Sequence, residues 1–242
     1  MTAVVSPVAY GISVGLAALV CGTLCVAVRR RPGPWSIVAA RLIGLVLAAD
    51  VLSWTIRLVV RGEWSAATSL PLALCNMAVP VAAAACWWRV PLLVELTWFW
   101  GLAGTLQAVV TPDLGEEFPH LVFFQYVVGH LGIVVAALFL VAGLQITPRR
   151  GAVRRTFLVS AGYTAFVGVV DALSGANYMF LRRPPSNWTL LRLLGPWPWY
   201  IASSAGLALV LFVLLDAPFW RGRRDPSLSG RRRPGRAVPT PA

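Results

Sequence analysis

A cysteine and a histidine, Cys75 and His130, sit inside apolar stretches where polar side chains are costly. A thiol becomes a nucleophile only as its thiolate. A neighbouring imidazole can take that proton and later deliver it to a leaving group. One Cys and one His in separate stretches have no defining spacing. The alternative is a packed thiol and a His hydrogen-bonded to a facing helix. Cys21, Cys25 and Cys86 read as small buried apolar side chains. Cys75 and Cys86 stand about 16 Å apart along one helix and cannot pair there. With two His and no zinc-ligand spacing, neither a metal nor a cofactor is expected.

The elements that must position these residues are hydrophobic helices. The chain is 58% hydrophobic and 12% charged, with a mean hydropathy of +0.73. Soluble domains carry about twice that share of charge. A bilayer core of ~30 Å needs about 20 apolar helical residues. Seven stretches approach this length: Val8–Val28, Trp35–Val60, Leu70–Trp88, Pro91–Val110, Leu121–Leu144, Phe157–Leu173 and Trp197–Leu215. They are continuous, without the period-two alternation of barrel strands. The expected fold is all-α, a polytopic transmembrane helical bundle over residues 1–220. The sixth stretch is the shortest, so six spans is the fallback. Residues 221–242, rich in Arg, Pro, Gly and Ser, read as a disordered tail resting on anionic lipid. Gly11 and Gly15 have the spacing of a close helix-packing pair.

The net charge of +12 comes from 21 arginines and no lysine. They cluster at span ends rather than on a soluble face, so no nucleic-acid partner is expected. Arg29, Arg30, Arg31, Arg89, Arg149, Arg150, Arg154 and Arg155 fall in alternate loops, and the fourth loop carries Asp113, Glu116 and Glu117 instead. The positive-inside rule then places the N-terminus outside and the C-terminus in the cytoplasm of a multi-pass cell-membrane protein. Arg182, Arg183 and Arg192 oppose this weakly. The first span lacks the basic residues that would precede a signal-peptide core.

Topology sets depth. Cys75 lies about 8 Å below the outer end of its span and His130 about 14 Å below its own. Gln107, Asp113, Asp171, Asn177 and Tyr178 are delivered to the same side by other spans. They are the candidate substrate-binding groups of an outward-opening polar cavity. Asp50 and Arg57 share a face of the second span and are expected to pair with each other or to meet Asp171. Glu95, one turn into the fourth, reads as a capping or interfacial acid, with a proton relay as the alternative.

Several segments resemble one family. Leu70-Pro71-Leu72-Ala73-Leu74-Cys75 is similar to a motif of the YwaF-like integral membrane proteins. So are Phe99-Trp100-Gly101-Leu102-Ala103-Gly104 with Gln107, and Thr111-Pro112-Asp113-Leu114. Phe118-Pro119-His120 with Phe123-Phe124-Gln125 and His130, Asn177-Tyr178-Met179-Phe180-Leu181, and Gly195-Pro196-Trp197-Pro198-Trp199-Tyr200 complete the likeness in order. That family resembles eukaryotic multispan acyltransferases that move fatty acyl chains on phospholipids. In those, a Cys and a His matching Cys75 and His130 are the proposed catalytic residues. A more distant likeness is to multispan hydrolases of fatty-acid esters, which use a Thr and a His. The resemblance implies a buried nucleophile–His site acting on a lipid acyl chain. Ala73 and Arg192 depart from the family pattern, which often has a polar residue and an acid there.

Three functions are therefore expected to compete. One is a lipid acyltransferase or acyl hydrolase using Cys75 and His130 on membrane lipids. The second is a transporter or small-molecule binding protein using Asp50, Arg57, Asp171 and His130. The third is a membrane scaffold without catalysis. The oligomeric state is not legible.

Overall fold

Continuous apolar runs punctuated by Pro, Gly and Arg fold as helices. The computed structural model describes residues 7–110, 112, 116, 118–184 and 193–224. Among these the chain forms α1 (Pro7–Arg30), α2 (Trp35–Val60), α3 (Leu74–Trp88), α4 (Pro91–Val110), α5 (Leu121–Gly143), α6 (Ala152–Ser174) and α7 (Trp199–Asp216), with no strand among the described residues. Successive helices run up and down. The tightest connection is Arg89–Val90, where Arg89 takes a left-handed conformation (φ 53°).

Six helices are long and apolar enough to cross a membrane; α3, with 15 residues, is the shorter one. The shortfall therefore falls on the third stretch, not the sixth. Pro71 keeps Leu70 out of the helical region, and Ala73 is extended (ψ 143°), so Leu70–Ala73 approach as a turn rather than as helix. The resulting α3 is about 22 Å long, less than the hydrocarbon thickness. α6 exceeds its expected bounds because Arg154 and Arg155 belong to its first turn.

The short helix is the central one. α3 packs against α2, α4 and α5, and it buries Ala78, Val79, Ala82, Ala85 and Cys86. Half of the apolar window of α4 and of α5 is buried, against 11% for α1 and 17% for α6 and α7. The outer helices turn Leu, Val and Ile outward, as a bundle surrounded by lipid requires. At the α2–α3 crossing a Cβ on Gly44 would stand 3.0 Å from the Ala83 carbonyl oxygen and 3.1 Å from Cys86 Cβ. Glycine there lets the two backbones approach. Gly11 and Gly15, by contrast, have nothing within 4 Å of a Cβ position. That pair faces outward and packs against no helix among the described residues.

One end of the bundle is rich in arginine. Glu95, 1% exposed, is tied there to two of them. Its Oε1 accepts from Arg149 N (3.0 Å), Arg149 Nε (2.9 Å) and Arg155 Nη2 (2.8 Å). Its Oε2 accepts from Arg149 Nη2 (3.2 Å) and Arg155 Nε (3.1 Å). The carboxylate thus joins the start of α4 to the loop before α6 and to α6 itself. Nearby, Arg29 Nε donates to the Ala142 carbonyl (2.8 Å), and the Arg41 guanidinium lies 5.3 Å from the Trp87 ring centre.

Candidate functional site at the Cys75 end

The opposite end is built around the approach to α3. Tyr178 Oη accepts from Leu70 N (3.0 Å) and donates to the Ala66 carbonyl (2.9 Å). Tyr163 Oη donates to the Leu72 carbonyl (3.0 Å). Leu72 is buried against Val167, Ala176 and Tyr178. Asp171, fully buried at the end of α6, accepts from Tyr178 N through Oδ1 (2.9 Å). Asn177 Oδ1 accepts from Arg182 N and Arg183 N, and its Nδ2 donates to the Arg183 carbonyl. Tyr200 donates to the Phe180 carbonyl, and Trp197 Nε1 to the Leu181 carbonyl (2.9 Å). The Asn177–Leu181 and Trp197–Tyr200 segments therefore form the clamp that holds the turn before Cys75. Tyr178→Phe leaves Leu70 N and the Ala66 carbonyl without this partner. It should cost about 1–3 kcal/mol, read as a lower unfolding midpoint with faster amide exchange at Leu70. Unchanged exchange there would show that the clamp does not hold the turn.

Cys75 opens the first turn of α3 and is half-buried. The facing helix α4 is π-helical over Trp100–Thr105, anchored by Trp100 Nε1 donating to Ser160 Oγ (2.8 Å). A Cβ on Gly104 would stand 3.3 Å from Leu74 Cδ2, so α4 approaches α3 closely at this level. The next residue, Thr105, is 1% exposed. Thr105 Oγ1 has no hydrogen-bond partner among the described residues.

His130 projects from α5, which packs against α3. Val79, one turn below Cys75, reaches within 3.7 Å of the Cβ position of Gly129. His130 Nδ1 lies 2.9 Å from the Tyr126 carbonyl oxygen, one turn back. A carbonyl only accepts, so Nδ1 carries the proton and Nε2 presents a lone pair. The imidazole also stacks on the Tyr126 ring, with centroids 4.1 Å apart and planes 23° apart. Tyr126 Oη in turn donates to the Ala108 carbonyl (2.8 Å) on α4. Ring plane and tautomer are both set before any substrate arrives. This is the form of imidazole that a general base needs.

The sequence-derived candidates separate into groups. Cys75 and His130 stand on adjoining helices, with no hydrogen bond to each other among the described residues. Gln107 is exposed near the end of α4. Asp171, Asn177 and Tyr178 belong to the clamp. Asp113 and Arg192 lie outside the described residues. Arg57 does not pair with Asp50 or meet Asp171. It lies 3.4 Å from Glu63 and stacks over Trp54 at 4.6 Å. Seven residues is two turns, too far for Asp50 and Arg57 to touch, whereas Glu63 folds back after the helix end.

Asp50 instead reaches α5, where its Oδ2 lies 3.1 Å from the Cβ position of Gly129, beside His130. Ser53 Oγ, one turn on, accepts from Gln125 Nε2 (2.8 Å). Thr105 and Tyr126 were not picked out by sequence reasoning. Tyr126 was legible in principle, because a residue four before a helical His shares its face. Thr105 had no such signal.

No curated protein and no solved structure matches the chain. The TMEM164 family model matches residues 4–216. With its apolar helices and this near-complete match, the chain belongs to the TMEM164 family, a multispan membrane family.

Proposed function

We propose that this protein is a thiol-dependent lipid acyltransferase or acyl hydrolase, with Cys75 as nucleophile and His130 as general base and then general acid. The observation that carries the reading is the His130 tautomer, fixed by the Tyr126 carbonyl so that Nε2 is the basic nitrogen. In the first half-reaction His130 Nε2 takes the Cys75 proton as Sγ attacks the ester carbonyl carbon. The acyl C–O bond breaks, and the leaving alkoxide receives that proton, giving a thioester and a free lipid alcohol. In the second, an alcohol or water attacks the thioester, again losing its proton to His130, and the thiol is regenerated. An alcohol acceptor gives transfer; water gives hydrolysis. The likeness of the motifs around both residues to acyltransferase motifs supports the same reading.

The substrate is a membrane lipid entering sideways between helices. Cys75, in the first turn of α3, lies at a depth suited to an interfacial ester. The arginine-rich end faces the cytoplasm, which puts the N-terminus outside and opens the site outward. Transport is favoured by one observation, the Asp50 carboxylate against Gly129 near the middle of α5. Its other expected ligands are partly engaged, Arg57 by Glu63 and Asp171 Oδ1 by the Tyr178 amide, while Arg57 Nε and Asp171 Oδ2 are buried with no hydrogen-bond partner among the described residues.

The test is labelling of the purified protein in nanodiscs with a lipid-like thiol-reactive acyl probe, followed by peptide mapping. Selective modification of Cys75 over Cys21, Cys25 and Cys86 is expected. Modification of none, or of all four alike, would sink the enzyme reading and turn attention to substrate counterflow in proteoliposomes.

A further inference from the structure

Arg57 is a nearly buried cation that acyl transfer by Cys75 and His130 leaves unused. It lies one turn from the end of α2, and its side chain is 11% exposed, whereas Ile56, Val59 and Val60 beside it are turned outward. A charge held inside a helix bundle surrounded by lipid is costly unless something uses it. The guanidinium lies over the Trp54 ring at 4.6 Å, which fixes its plane. Nη1 meets Glu63 Oε2 at 3.4 Å, a long bond, and Nε is buried with no partner among the described residues. The end of α2 brings Glu63 there. Gly62 takes a left-handed conformation (φ 67°), Gly62 N donates to the Val59 carbonyl, and Glu63 N donates to the Leu58 carbonyl. The acid itself is 50% exposed, and its other oxygen lies 3.9 Å from Nη1 of Arg61, which is 51% exposed. Two guanidinium groups therefore share one carboxylate, and the buried one is held to it by a single long bond.

Helix register sets this cation just beyond Cys75. α2 and α3 run antiparallel. Gly44 meets Ala83 and Cys86, and further along Asp50 Oδ2 and Val79 Cγ2 meet at Gly129 of α5, 3.1 and 3.7 Å from its Cβ position. Continued along both helices, the same register makes Trp54 level with Cys75 and Arg57 level with Leu72, about 5 Å nearer the helix ends. Cys75 also extends the stripe of Val79, Ala82 and Cys86 that α3 turns toward these helices. In a phospholipid the glycerol backbone separates the phosphate from the nearer acyl ester by only a few bonds, and the phosphate lies on the water side. An ester at Cys75 therefore sets its phosphate at the level of Arg57.

We propose that Arg57 is a specificity-determining residue of the site: its guanidinium takes the phosphate of a glycerolipid whose ester lies at Cys75, displacing Glu63. The inference deepens the acyl-transfer reading and rests on it. Glu63 is the placeholder. Phosphate replaces its one long bond with charge-assisted bonds that also use the free Nε, and Glu63 turns outward to Arg61. Neutral glycerides and simple fatty-acid esters lack the group that this cation holds.

The experiment measures binding by calorimetry to the full-length protein in a phosphate-free, non-ionic detergent. The probes are a short-chain dialkyl-ether glycerophosphocholine, the same dialkylglycerol without its phosphocholine, and inorganic phosphate. Ether chains offer Cys75 no ester, so binding is read without chemistry. Phosphocholine is zwitterionic, so the arginines at the opposite end of the bundle do not draw it by net charge. Wild type should bind the phosphate-bearing ether about tenfold more tightly than the phosphate-free one. Arg57→Gln should erase that difference, and Glu63→Gln should widen it. A guanidinium that serves only as the structural partner of Glu63 predicts otherwise for Glu63→Gln: a lower unfolding midpoint with the lipid preference unchanged. That result, or an Arg57→Gln protein that keeps the preference, would overturn the proposal. Glu63 is half exposed in a loop, so its variant decides the matter even where Arg57→Gln fails to fold. Inorganic phosphate bound as tightly as the ether lipid would assign the site to free phosphate and overturn the lipid assignment. A phosphate preference without acyl labelling of Cys75 would remove the acyl-transfer reading and leave the Arg57 phosphate site standing. Acyl labelling of Cys75 without a phosphate preference would overturn the Arg57 role alone.

Discussion

His130→Ala should lower the rate of acyl-enzyme formation at Cys75 by about 10²–10⁴-fold, the ordinary range for removing a positioned general base. Cys75→Ser should lower it further, because serine depends on the same base and is intrinsically a poorer nucleophile. Both variants should keep their fold. His130 is half-buried and its hydrogen bond to the Tyr126 carbonyl lies within its own helix, so removing the ring breaks no hydrogen bond to another helix among the described residues. Cys75→Ser exchanges sulphur for a smaller oxygen with the same valence. The measurement is single-turnover acylation by a fluorescent phospholipid in nanodiscs, alongside unfolding midpoints. A double variant should be little slower than Cys75→Ser alone, since the two groups act as a unit. Wild-type rates in both single variants would remove Cys75 and His130 from the chemistry together. Loss in Cys75→Ser with none in His130→Ala would assign the base elsewhere, and Asp50 beside Gly129 would be the next residue to substitute.

Glu95→Ala should produce the largest loss of stability of any single polar substitution in the bundle. Breaking a buried ion pair by removing one partner ordinarily costs about 3–5 kcal/mol. Here the acid is the buried partner, and its two oxygens accept five hydrogen bonds. The guanidinium-bearing side chains are 51% and 35% exposed at Arg149 and Arg155. They can turn to water or lipid phosphate once released, which holds the expected loss near the low end, about 3 kcal/mol. Arg149→Ala and Arg155→Ala should each cost less, because the remaining arginine still neutralises the carboxylate. Denaturant unfolding in detergent, with the Glu95–Arg155 double-variant cycle, reads the coupling. A Glu95→Ala loss below about 1 kcal/mol would show the cluster to be worth no more than a surface ion pair. Acyl labelling at Cys75 should survive in the folded fraction of Glu95→Ala, since the cluster lies at the opposite end of the bundle.

Hydrophobic run length and arginine placement are one-dimensional properties, so the sequence alone determined an all-helical membrane bundle. Only the contacts of Glu95 decided between an interfacial acid and a proton relay. They tie it to Arg149 and Arg155, residues more than fifty positions away. Run length also misjudged which span is short. Hydropathy counts Leu70–Ala73 as apolar, but they approach as a turn in which Ala73 is extended, and α3 shrinks to 15 residues. A short helix is tolerated because α2, α4 and α5 surround it. Gly11 and Gly15 matched a packing pattern that no neighbour uses. Arg57 matched a partner that helix geometry puts out of reach.

At the site, residue type named Cys75 and His130 as the groups with chemistry to offer, and turn counting gave their depths. The surroundings of each came from three dimensions. The Tyr126 carbonyl sets the imidazole tautomer. The π-turn of α4 ends at Thr105, whose hydroxyl is buried with no hydrogen-bond partner among the described residues. Asp171, Asn177 and Tyr178 shared the right end of the bundle by topology, and their hydrogen bonds go to the backbone of the loops that hold α3. The depth of a residue follows from counting along its helix; the direction of a hydroxyl or ring nitrogen depends on which neighbouring backbone groups are already bonded, and only the packed helices decide that.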